Sequence, residues 1–156
     1  MKKLMLLVTM ILSTKVLAAS TGTIYLSGTV AAINELSIAP TTVSTNLNIT
    51  SGEVNTLVAV VTETSNSLNG YKINMKSLNA SKLAHTIDNS KSTTYTISYD
   101  GNGPFVLTTI DQVVKNSGSL GGLTTDTSDV KINVSAYPTA PAGVYSDIIT
   151  VSIVAN

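Results

Sequence analysis

Polar and apolar residues alternate with period two along much of this chain, the pattern of strands that bury one face and wet the other. Tyr71, Ile73 and Met75 alternate with Lys72, Asn74 and Lys76, and Tyr95, Ile97 and Tyr99 alternate with Thr96 and Ser98. Val130, Ile132 and Val134 alternate with Lys131, Asn133 and Ser135; at the end, Ile149, Val151 and Ile153 alternate with Thr150 and Ser152. These segments predict four strands. Leu57 to Val61 is apolar on both parities, which predicts a strand covered on both sides and leaves its inward parity open. Shorter strand pieces are expected at Leu36 to Ile38, Leu47 to Ile49, Phe105 to Thr108 and Gln112 to Val114. Beyond the first residues, no long stretch follows the 3.6 period of a helix.

The connections carry the chemistry that turns need. Asn69-Gly70 precedes the Tyr71 strand, and Asp100-Gly101-Asn102-Gly103-Pro104 separates Tyr99 from Phe105, which predicts a hairpin because Gly and Asn accept positive φ. Pro138 and Pro141-Ala142-Gly143 mark a turn before the last strand, and Gly118 to Gly122 mark a flexible loop. Residues 78 to 92 are polar with little pattern and read as a loop or short irregular segment. About seven strands at this spacing fit an all-β, immunoglobulin-like sandwich.

The first residues read differently. Met1-Lys2-Lys3, an apolar run from Leu4 to Leu12 and small residues around Ala18 and Ala19 form an export leader, residues 1 to 19, with cleavage expected within residues 18 to 20. The apolar run is roughly nine residues, against the ~20 a spanning helix needs, so no membrane span is expected after leader removal. Directly behind it, Thr23-Ile24-Tyr25-Leu26-Ser27-Gly28-Thr29-Val30 alternates like a strand. Residues 20 to 33 are therefore expected as an N-terminal extension and residues 34 to 156 as the sandwich domain.

Composition narrows the function. About 137 residues follow the leader, enough for one domain with a real core. There is no cysteine, so an exported fold must rely on its core or on a partner chain. No arginine is present, and outside the leader six lysines face nine acidic side chains, which argues against nucleic acid. Abundant Ser and Thr with frequent Val and Ile again favour strands.

Catalytic parts are scarce. His85 is the one histidine and is expected at the surface, so triads and histidine-based metal sites lack members. No serine lies in a G-x-S-x-G elbow, and Asp100, Asp111, Asp126, Asp129 and Asp147 are dispersed. Asp126-Thr127-Ser128-Asp129 lacks the glycine and closing glutamate of an EF-hand loop. The expectation is a protein without enzyme activity, cofactor or metal.

Three stretches carry a resemblance: Thr23 to Ala32; Val61-Thr62-Glu63-Thr64-Ser65-Asn66 with Asn69-Gly70-Tyr71; and Pro141-Ala142-Gly143-Val144-Tyr145-Ser146-Asp147 running into the terminal strand. Together they resemble spore coat protein U and the pilin-like subunits of bacterial chaperone-usher systems. The resemblance implies an immunoglobulin-like sandwich lacking one strand and a structural subunit of a fibre (pilus, fimbria) or surface coat. It implies assembly by donor-strand exchange, with a periplasmic chaperone, an outer-membrane usher and related subunits as partners. It also implies passage through the periplasm to the cell surface. Carried onto this chain, Ile24, Leu26, Gly28 and Val30 are the donor positions, and Ile149, Val151 and Ile153 line part of the acceptor groove. On the residues alone a second reading stays open: residues 23 to 32 fold back as the first strand of a self-contained, secreted or periplasmic, adhesin-like binding domain.

Overall fold

The computed structural model describes residues 20–156. The expected leader and its cleavage site lie outside the described residues, apart from Ser20. Residues 20 to 33 carry no strand. The domain that follows contains β1 (Asn34–Pro40), β2 (Glu53–Ser65), β3 (Tyr71–Ser77), β4 (Lys82–His85), β5 (Ser92–Tyr99), β6 (Asn102–Phe105), β7 (Gln112–Asn116), β8 (Thr124–Val134), β9 (Tyr145–Ser146) and β10 (Ile149–Ala155), with one 3-10 turn at Thr42–Thr45. Ten strands thus replace the expected seven or so. Two of them are short pieces that the pattern does not predict: β4 lies in the segment expected as a loop at 78 to 92, and β9 in the turn before the last strand.

The strands build an all-β sandwich. One sheet has the order β1-β2-β8-β5-β4-β9 with β6 attached to β5, the other the order β10-β3-β7, and all pairs are antiparallel. The alternating strands bury the side chains that periodicity assigned: Tyr71, Ile73, Met75, Tyr95, Ile97, Tyr99, Val130, Ile132 and Val134 all belong to the core. Two outcomes depend on pairing, which periodicity does not report. In β2 the register against β8 shifts between Leu57 and Ala59, so inward parity passes from Val58 to Val61, Glu63 and Ser65. An extra residue reverses the faces of a strand, which is why this segment is apolar on both parities. At Leu47 to Ile49 there is no strand, yet both side chains pack on the core.

The turns follow their sequence signals. Asp100 and Gly101 both have positive φ, 50° and 75°, and Tyr99 pairs with Asn102 across them, the two-residue geometry that matches strand twist. Gly70 has φ +83°, and a Cβ there would collide with the carbonyl oxygens of Ser117 and Gly118. Only glycine fits that approach.

Candidate functional site

Two strands of the sandwich are edges that flank the same opening. β1 ends the larger sheet and β10 ends the smaller, each hydrogen-bonded to a neighbour on one side only. An unpaired edge offers a row of N–H and C=O groups to another strand. Between these edges lies a cavity of about 370 Å³ lined by Ile38 and Pro40 of β1, Ile149 and Val151 of β10 and, among its floor residues, Val61, Met75, Tyr95 and Ile132. The cavity reaches the core.

Strand directions orient this groove. β1 runs toward Pro40 and β10 starts at Ile149, and both residues line the cavity, so the two edges are antiparallel. Cα atoms of β1 and β10 approach within 8 Å. A strand seated between them needs about 4.8 Å on each side, so the edges must part by at least about 2 Å to admit one. Ile149, Val151 and Ile153 are only half-buried although they pair with Ser77, Met75 and Ile73, buried residues of β3. Ile38 remains 43% exposed on the facing edge.

Asp147 borders the Pro40–Ile149 end of the groove and forms a polar hub there. Its Oδ2 accepts hydrogen bonds from Ser77 Oγ at 2.5 Å and Tyr95 OH at 2.6 Å, and its Oδ1 accepts from the backbone N–H of Asn79 at 3.0 Å and of Ile148 at 2.7 Å. Burial, then the hydrogen bond to Asp147, pushes the Tyr95 hydroxyl above the ordinary tyrosine range. The hub fixes where β10 starts.

A second polar cluster lies in the core. Glu63 is fully buried at an inward position of β2. Its carboxylate accepts from Tyr71 OH at 2.6 Å, Tyr99 OH at 2.5 Å and Ser128 Oγ at 2.7 Å, and Lys115 Nζ stands 3.0 Å away. Lys115 also pairs with Asp126 at 2.7 Å and Asp100 at 3.0 Å. Burial works to raise the Glu63 carboxyl, but the Tyr71, Tyr99, Ser128 and Lys115 contacts together hold it below the usual range. Burial opposes the charge of Lys115 too, and its three carboxylates outweigh that and raise it. Two of the aspartates that look dispersed in sequence therefore converge on one lysine.

His85 is buried in β4, 8% exposed, not at the surface as its polar surroundings in sequence imply. Its Nδ1 accepts from the backbone N–H of Ile87 at 3.2 Å and Asp88 at 3.1 Å, and Nε2 lies 3.2 Å from the Ala142 carbonyl oxygen. That leaves Nε2 as the donor. The histidine ties β4 to the Pro141–Gly143 turn, a structural role.

In the extension, Ile24, Leu26 and Val30 are 84%, 92% and 89% exposed, and a Cβ on Gly28 would meet nothing within 4 Å. Its junction with the domain is held. Asn66 donates from Nδ2 to the Ala31 carbonyl at 2.8 Å and accepts at Oδ1 from the Ile33 N–H at 2.8 Å, while its own N–H donates to the Ile33 carbonyl at 3.2 Å. Sequence reasoning missed Asn66, Asp147 and Glu63. The last had a signal, a carboxylate on the buried parity of an apolar strand, but that parity required the bulge.

Fold and groove together define an all-β sandwich with an apolar opening between two edge strands. No protein-family model matches the chain, and no curated protein matches it either. Among the described residues no helix is long and apolar enough to cross a membrane.

Proposed function

We propose that this chain is a noncatalytic structural subunit of an extracellular fibre or surface coat, joined to its neighbours by strand donation. One observation carries the reading: an apolar cavity floored by core side chains lies between two unpaired edges, whose own Ile38, Ile149 and Val151 stay partly exposed along it. A strand laid there would pair with both edges and insert alternate side chains, the general mode of β-strand addition. Residues 23 to 30 supply such a strand, with Ile24, Leu26 and Val30 on one parity and Gly28 among them. In a neighbouring copy's groove, three aliphatic side chains at ~1.5 to 3 kcal/mol each contribute roughly 5 to 9 kcal/mol before ordering costs.

The cavity is also the size of a small-ligand cleft, ~300 to 1,000 Å³. Its flanking edges favour a strand over a small molecule, because only a backbone satisfies both rows of peptide groups. Export by the N-terminal leader, then a chaperone that covers the groove until assembly, completes the proposal. The groove explains the need for such a chaperone, since an open apolar edge promotes aggregation.

The test is complementation. A chain lacking residues 19 to 32 is prepared and mixed with a peptide spanning Thr21 to Ala32. The expected result is a marked rise in unfolding midpoint on peptide addition. A truncated chain that is stable, monomeric and indifferent to the peptide overturns the proposal in favour of a self-contained binding domain.

A further inference from the structure

The two ends of the sandwich expose different apolar side chains. At the end where the extension joins, Ser65 pairs with both Asn34 and Thr124, and the Leu120 N–H donates to the Leu68 carbonyl. Leu68 and Leu123 stand there 76% and 62% exposed. At the opposite end, where the groove opens between Pro40 and Ile149, the Leu78 N–H donates to the Ile148 carbonyl and the Ser77 N–H to the Thr108 carbonyl. Leu78, Ile110 and Ile148 are 63%, 71% and 63% exposed at this end. Ile148 lines both the groove and the adjoining hollow that contains Leu78. The mouth of the groove and this apolar end are one continuous surface.

We propose that successive copies of this chain meet end to end, Leu68 and Leu123 of one against Leu78, Ile110 and Ile148 of the next. The inference rests on strand donation and adds a second, non-strand contact to it. Its geometric basis is the pinned junction. Only Ala31, Ala32 and Ile33 separate the last donor position, Val30, from β1, four Cα steps that reach at most about 14 Å, and Asn66 holds Ala31 and Ile33 to the domain. A domain whose extension fills a neighbour's groove is therefore drawn against the end of the groove where that strand leaves. If the strand left at the acceptor's own junction end, two junction ends would face each other and growth would stop. Leaving between Pro40 and Ile149 instead sets a junction end against a groove mouth, a heterologous contact that repeats without closing. The donor then runs antiparallel to β10.

The test uses the whole mature chain. A labelled Thr21 to Ala32 peptide reports groove filling alone, and dissociation of chain–chain complexes reports groove and end contact together. In the double variant Leu78→Ser/Ile110→Ser, neither residue lines the groove. Peptide affinity should stay unchanged while chain–chain complexes dissociate about tenfold faster, as expected from exposing two apolar contacts. Because the chain has no cysteine, Leu68→Cys and Ile110→Cys copies should also form a disulfide across the contact when mixed with oxidised glutathione, which takes up the two electrons and is released as two thiols. If the peptide fails to bind the wild-type chain, strand donation and the end contact both fall. If it binds equally but dissociation is unchanged, or no disulfide forms in assembled chains, the end contact alone is wrong. A loss of peptide affinity equal to that of the chains likewise overturns it.

Discussion

Lys115 Nζ stands 3.0 Å from the buried Glu63 carboxylate, and this contact joins the smaller sheet to the larger one across the core. Removing one partner leaves the other charge buried, the costly case for interior ion pairs. Lys115→Met should lose about 3 kcal/mol of stability, the low end of that range because three hydroxyls still donate to Glu63. Urea unfolding measures it, and an unchanged midpoint would show that the hydroxyls alone hold the carboxylate.

The same cluster sets a pH dependence. Glu63 is lowered in the folded state, against the pull of burial, by its Tyr71, Tyr99, Ser128 and Lys115 contacts, and Asp126 is lowered chiefly by its hydrogen bond from Lys115. A lowered carboxyl contributes stability that is complete above its unfolded value, about 4, and is lost as pH falls through the folded value. Stability should therefore drop steeply below about pH 4. Asp126→Asn, at a half-exposed position, should flatten that acid limb while leaving the midpoint near neutrality within about 1 kcal/mol.

Asp147 predicts a local effect at the groove. Asp147→Ala removes the acceptor of Ser77, Tyr95 and two backbone N–H groups, and should cost about 2 to 4 kcal/mol. Hydrogen exchange should quicken first at Asn79 and Ile148. Protection that stays uniform across the domain would contradict a hub that fixes the start of β10.

Gly143 and His85 should be coupled. Gly143 has φ +153°, and a Cβ there would run into His85 Nε2, so Gly143→Ala should destabilise by about 1 to 3 kcal/mol. In the His85→Ala background the clash disappears, and the second substitution should cost at least 1 kcal/mol less, by roughly the coupling seen between touching residues. Additive costs in the thermal midpoints would argue against this contact.

Substitution at Leu26 should separate the proposed assembly from folding. Because the side chain is 92% exposed, Leu26→Asp should change the stability of the isolated subunit by less than about 0.5 kcal/mol. Chain–chain association should fall at least about a hundredfold, as a carboxylate cannot enter an apolar groove unpaired. A matching loss in folding stability would place this residue in its own domain's core.

How far the sequence could be read differs between faces and pairings. Tyr71, Ile73 and Met75, or Val130, Ile132 and Val134, are visible as core residues because strand side chains alternate whatever the partner strand is. Asp100-Gly101 is equally visible, since positive φ is a local property of the backbone. By contrast β4 is four residues long with polar neighbours, and its existence depends on hydrogen bonds to β5 and β9. The burial of His85 follows from that pairing.

The groove lies between these cases. Ile149, Val151 and Ile153 are legible as inward-facing, but nothing local says that β10 lacks a second neighbour. Sequence alone determined an all-β chain, its alternating core positions and its turns, because each depends on a residue and its near neighbours. Tertiary structure decided which strands are edges, that β1 and β10 face each other across an apolar cavity, and that Glu63 and Lys115 meet in the core. Those outcomes arise from contacts between residues far apart in the chain, whose pairing no local pattern encodes.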